Sequence, residues 1–220
     1  PTVLLATEPI MALVTLYMSF LYGLLFLFFE GFPISFEESR GWRPQIASLS
    51  FIGLLVGVII GFLGMLTWTL TLFRSQLNST PGKIIPERRL PPMIVGAIGL
   101  PAGLFWFAWT SSPHITWVPE VISTALVSAS MFVIFISGLK YIVDVYLLFA
   151  NSAISANTFV RSLFGAGFPL FANQMYSRLG FSWATSLLAF LAVGLAPVPV
   201  VFLLFGQRIR LWSRASMNKS

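Results

Sequence analysis

Six stretches of nearly unbroken apolar residues, at 9–29, 46–73, 93–110, 119–139, 147–171 and 182–205, alternate with shorter polar segments along the chain. An α-helix needs roughly 20 consecutive apolar residues to cross a hydrocarbon core about 30 Å thick. The pattern therefore predicts an all-α integral membrane protein with six transmembrane helices in one bundle.

Composition strengthens this reading. Hydrophobic residues make up 57% of the chain, charged residues 9%, and mean hydropathy is +0.88. Soluble domains carry about 25% charged residues, and a water-facing fold could not hide this much apolar surface. A net charge of +6 and a pI near 10.2 would suggest a nucleic-acid partner in a soluble protein. Here the cations fall between spans, where they set topology, so the expected surroundings are the lipid bilayer and not nucleic acid. The chain has no cysteine and a single histidine, His114. That excludes disulfides and thiolate metal sites and leaves no metal cluster or catalytic triad. No nucleotide-binding, hydrolase or zinc-protease motif is present, so neither an enzyme nor a cofactor is expected. The first span is too long for a signal peptide, and it lacks a basic flank and a cleavage site.

Orientation follows from Lys and Arg, which concentrate in cytosolic loops. With a cytosolic N-terminus, the inner loops hold Arg74, Lys83, Arg88, Arg89, Lys140, Arg208, Arg210, Arg214 and Lys219, and the outer loops only Arg40, Arg43 and Arg178. Six spans then return the C-terminus to the cytosol. The longest polar stretch, 74–92, contains the turn signal Pro81-Gly82 and the sequon Asn78-Ser79-Thr80, which faces the cytosol in this topology. Trp42, Trp106, Trp109, Trp117 and Trp183 lie near outer span ends, as expected of headgroup-level tryptophan.

Within the spans, Gly53, Gly57 and Gly61 recur every four residues, followed by Gly64, and Gly96, Gly99 and Gly103 form a similar row. Such rows let neighbouring helix backbones approach closely. Pro101 and Pro169 are candidate flexing points. Ionisable residues inside a membrane are costly and point to function. Arg161 lies one helical turn after Asn157, so both share a helix face. It is expected to face a cavity or a partner helix, paired with a carboxylate or carbonyl if its role is structural. Glu30 and Glu120 stand at outer span boundaries, where either could carry a proton or attract a cationic substrate, or simply be solvated. Lys140 and Asp144 are spaced to form an interfacial pair. Glu8 reads as a membrane-edge residue. Tyr17 and Tyr22 on the first span are cavity-lining candidates, with core packing as the plainer role.

Several segments resemble the C-terminal half of fungal major facilitator superfamily drug:proton antiporters. The stretch from Glu8-Pro9-Ile10 to Glu30-Gly31-Phe32-Pro33-Ile34 is similar to their seventh helix, and residues 152–171, Ser-Ala-Ile-Ser-Ala-Asn-Thr-Phe-Val-Arg-Ser-Leu-Phe-Gly-Ala-Gly-Phe-Pro-Leu-Phe, to their eleventh. Pro-Glu-Arg-Arg-Leu-Pro at 86–91 and Gly-Leu-Phe-Trp-Phe-Ala-Trp-Thr at 103–110 also match. Lys140 and the glycine-poor stretch 120–131 depart from the family pattern.

The resemblance implies helices seven to twelve of the fold, with 1–220 as one bundle built from inverted repeats 1–110 and 111–220. It implies a small-molecule exporter of drugs, toxins or polyamines, working by proton antiport with alternating access. Glu30, Glu120, Asn157, Arg161, Tyr17 and Tyr22 would be its substrate or coupling residues. The expected membrane is the plasma membrane, with the vacuolar membrane as second choice. The opening on Pro1 and the length suggest that an N-terminal six-helix half is missing. The competing expectation is a truncated or non-transporting membrane protein that pairs with a separate N-terminal half or is inactive alone.

Overall fold

The computed structural model describes residues 8–79, 89–112 and 114–212. Lys83, Arg88, Arg214, Lys219, the Pro81-Gly82 turn and Thr80 of the sequon lie outside them. The described residues are helical apart from short turns and contain no strand.

Helix α1 runs Pro9–Phe32 and passes without a break into a π-helical segment, Pro33–Ser39. Pro9 suits the first helical position, where its missing N–H costs no hydrogen bond. A short helix α2, Pro44–Ala47, and a 3₁₀ turn, Ser48–Ser50, lead into α3, Phe51–Ser79. Then follow α4, Leu90–Thr110, and α5, Trp117–Tyr146. Helix α6, Ala150–Gly167, continues through a 3₁₀ turn, Phe168–Phe171, into α7, Ala172–Leu179. Gly180, with φ +76°, supplies the left-handed conformation that turns the chain into α8, Phe181–Leu195, and then α9, Pro197–Trp212.

Among the described residues, five helical stretches are long and apolar enough to cross a membrane: Ile10–Glu37, Pro44–Thr71, Leu90–Thr110, Trp117–Tyr146 and Phe181–Gly206. They coincide with five of the six apolar runs. The remaining run, 147–171, forms α6 and the 3₁₀ turn. It falls short because Asn151, Ser152, Ser155, Asn157, Thr158, Arg161 and Ser162 dilute it. Pro169 lies in that 3₁₀ turn, whereas Pro101 leaves α4 continuous.

Helix α5 is held between α3 and α4, α4 also packs on α8, and α1 packs on α6. The glycine rows explain how α5 is gripped from two sides. A Cβ on Gly53 would come within 2.7 Å of the Val121 carbonyl oxygen, and one on Gly61 within 3.0 Å of that of Ala129. Between them Gly57 abuts the Ala125 carbonyl and the Ser128 hydroxyl. From α4, Gly96, Gly99 and Gly103 meet Ile134, Ser130 and Val127. Gly64 has open space around it. The interior between helices holds Met18, Leu21, Phe28, Phe107, Val127, Ile134 and Leu188. Leu55, Ile59, Phe62 and Leu63 on α3 point outward, an apolar face suited to lipid.

Candidate functional site

Arg161 projects from α6 onto two rings supplied by different helices. Its guanidinium carbon lies 5.1 Å from the centre of the Tyr22 ring on α1 and 5.6 Å from that of Phe135 on α5. The rings meet edge to face, with centres 5.9 Å apart and planes at 90°. Phe26, one turn beyond Tyr22 on α1, joins the cluster with a centre-to-centre distance of 5.0 Å. The close fit of α1 to α6 depends on Gly165, one turn after Arg161, where a Cβ would fall within 2.8 Å of the Tyr22 ring. Gly23 plays the reciprocal part beneath Phe168, at 2.7 Å.

An ion-paired Arg161 is not what the helices produce. Among the described residues its guanidinium has no ion pair and no hydrogen bond, and it is half-buried. Aromatic faces take the place of the carboxylate, because a ring quadrupole attracts a cation by about 0.5–2 kcal/mol. Further rings extend the surface. Phe20 meets Phe168 at 5.4 Å and Phe164 at 6.5 Å, and Phe164 meets Phe168 at 5.6 Å.

The other sequence candidates separate. Asn157 is fully buried, and its amide NH₂ donates to the Thr15 hydroxyl at 3.3 Å and approaches the Met18 sulfur at 3.8 Å. It stitches α6 to α1 beneath Arg161, while its carbonyl oxygen is buried without a partner. Tyr17 is buried on a different side of α1 from Tyr22, as five residues of helix dictate. It lines an apolar cleft of about 280 Å³ with Leu16, Val198 and Phe202. Glu30 is exposed near the end of α1.

Glu120 departs most from expectation, because it is not solvated. Its side chain has 0% exposure and its carboxylate pairs with Arg40 at 2.8 Å, while the Ser35 hydroxyl donates to the other oxygen. Arg40 also donates to the carbonyls of Thr110, Ser112 and Ile115 at 3.3, 3.2 and 2.7 Å. The first of these ends α4, so the guanidinium caps the negative end of that helix. One arginine thereby ties the exit of α1 to the end of α4 and the start of α5. In the sequence Arg40 reads only as a loop charge, because its partner is 80 positions away.

At the other end of α5 the expected Lys140–Asp144 pair does not form. Arg89 pairs with Asp144 at 3.0 Å, and Lys140 donates to the Thr69 hydroxyl at 3.3 Å. Arg89 enters from the start of α4 with a planar donor that suits a carboxylate, and Lys140 turns to α3. Glu120 and Asp144 are separated along α5 by about 36 Å at 1.5 Å per residue, so the two clamps lie at opposite ends of the bundle. Four tryptophans pair at the Arg40 end, where Trp42 contacts Trp117 at 6.2 Å and Trp109 contacts Trp183 at 6.1 Å, while Trp68, next to Thr69 on α3, lies toward the Arg89 end.

The sequence is similar to several fungal proteins. It is 51% identical over 214 residues to an MFS-type transporter, traF, of Penicillium crustosum, a match covering 97% of this chain and 44% of the relative. It is 50% identical over 217 residues to the citrinin biosynthesis cluster MFS transporter mrr1 of Monascus ruber, covering 98% and 43%. An efflux pump of Gibberella moniliformis, FUB11, is 41% identical over 211 residues, covering 96% and 35%. The chain thus spans less than half the length of these relatives, and all three are named as transporters or pumps, not enzymes. No family model and no solved structure matches it.

Proposed function

Because the chain belongs to the major facilitator superfamily, matching fungal transporters and efflux pumps over nearly its whole length, we propose that it forms the C-terminal six-helix bundle of a secondary active exporter. Its cargo is a small amphipathic molecule, moved by alternating access in exchange for protons. The observation that carries this reading is the half-buried, ring-bound Arg161 at the meeting of α1, α5 and α6. A charge held at mid-helix without a carboxylate partner is costly against lipid, so such residues face a cavity or the bundle interior and mark substrate pathways.

The packing supports a three-plus-three repeat, 1–110 and 111–220. The first helix of each repeat, α1 and α5, packs on the second helix of the other, α6 and α3. An inverted pair of repeats generates this exchange. Arg161, Tyr22 and Asn157 form the cargo wall and its support, with Glu30 at its exposed end. Glu120 is a clamp through Arg40, and Tyr17 belongs to the separate apolar cleft. The exporter sits in the plasma membrane with both termini cytosolic, and the opposite wall of its cavity comes from an N-terminal six-helix half.

The test is efflux of a fluorescent amphipathic dye from yeast expressing this chain alone or fused behind the N-terminal half of the Penicillium crustosum relative. The expected result is no export by the chain alone, and protonophore-sensitive export by the fusion. Dye export by the chain alone would contradict the half-transporter reading. A well-expressed fusion that stays inert would favour a non-transporting membrane protein.

A further inference from the structure

We propose that the Arg161 site takes an aromatic organic anion, such as a ring-bearing carboxylate, in preference to a cation. The inference rests on the exporter reading for its biological use, but its chemistry lies within this chain.

A guanidinium presents five N–H donors in a rigid plane and stays charged at any physiological pH. Among the described residues none of those donors is taken by an acceptor, and no carboxylate neutralises the charge. The contrast with the other clamps is chemical. Arg40 satisfies itself with Glu120 and three carbonyls, and Arg89 with Asp144. Arg161 alone of these three has only ring faces. The faces of Tyr22 and Phe135 hold the cation in place and use none of its in-plane hydrogen-bonding capacity. A half-buried fork of this kind is complementary to an oxyanion, which it can grip with two parallel hydrogen bonds.

The surroundings define the rest of the ligand. Tyr22, Phe26 and Phe135 meet edge to face at 5.0 and 5.9 Å, and a planar ring adds to such a cluster by the same geometry. A polyamine or other organic cation meets a fixed positive charge at the same place and is disfavoured by it. The site thus selects on two features together, a negative head and an aromatic body.

The test uses the chain fused behind the N-terminal half of the Penicillium crustosum relative, reconstituted in nanodiscs of zwitterionic phosphatidylcholine, so that no anionic lipid headgroup competes. Radiolabelled 2-naphthoate, 2-naphthylmethylammonium and decanoate serve as aromatic anion, aromatic cation and aliphatic anion, with saturable binding as the readout. We expect 2-naphthoate to bind most tightly, and Arg161→Gln to weaken it by about tenfold or more, as loss of a charge-assisted contact implies. Arg161→Lys should recover part of that loss, and Tyr22→Leu should weaken 2-naphthoate more than decanoate. Unchanged thermal unfolding of each variant separates loss of the site from loss of the fold.

Preference for the ammonium probe, still sensitive to Tyr22→Leu, would overturn the anionic class and leave the cargo-wall reading standing. Absence of saturable binding, or binding indifferent to both Arg161 and Tyr22, would overturn the site. Equal binding of decanoate and 2-naphthoate would overturn the aromatic requirement and point to lipid-like anions.

Discussion

Arginine occupies three different settings in this bundle, and the surroundings of each decide what the residue does. Arg161 rests on rings, Arg89 shares a partly exposed pair with Asp144, and Arg40 closes over a fully buried Glu120. The Arg40 clamp makes the sharpest residue-scale prediction. Removing one partner of a buried ion pair leaves an uncompensated charge and costs about 3–5 kcal/mol, whereas replacing both with apolar residues is often neutral. Arg40→Leu should therefore lower stability in detergent by that order, and Arg40→Leu combined with Glu120→Leu should recover most of it. Thermal unfolding of the single and double variants measures this. Failure of the double variant to recover would mean that the carbonyl contacts of Arg40, not its charge, hold the clamp. Asn157 shows what the sequence could reveal at this scale. Its place on the Arg161 face followed from helical spacing, but its burial against Thr15 and Met18 depended on which way α6 turned toward α1.

At the scale of elements, the glycine rows do what lipid cannot. Lipid tails are as apolar as leucine, so helices associate through close packing rather than water exclusion. Gly53, Gly57 and Gly61 meet backbone carbonyls on successive turns of α5, and Gly64 meets nothing. This sets up a matched comparison. Gly57→Ala should destabilise the chain by about 1–3 kcal/mol, the usual cost of overpacking. Gly64→Ala should be neutral or stabilise it by up to about 1 kcal/mol through better helix propensity. Unfolding midpoints in one detergent decide it, and equal effects at the two positions would refute the assigned interface. The row was visible in the sequence, as was its preference for a neighbouring helix. Which of its members face α5 was not, since all four glycines satisfy the same spacing rule to within a turn.

For the whole molecule, the two clamps at opposite ends of α5 and the two tryptophan pairs at the Arg40 end give the bundle a polarity. That polarity agrees with an outer face at Arg40 and an inner face at Arg89 under the positive-inside rule. An epitope tag at either terminus of the membrane-inserted chain should thus react with antibody only after the plasma membrane is permeabilised. Labelling of intact cells would reverse the orientation. The sequence by itself determined the class of protein, because runs of this length and apolarity suit membrane helices. Its local spacings picked out the glycine rows and the limits of three spans to within a few residues, whereas the first and fourth helical stretches run on to Glu37 and Tyr146. Tertiary structure alone decided the partners. Arg40 met Glu120 across 80 positions and Arg89 displaced Lys140 at Asp144 across 55, while Tyr22 and Phe135 closed around Arg161. Helical periodicity fixes which residues share a face, but the rotation of one helix against another comes only from packing, and on that rotation every one of these contacts depends.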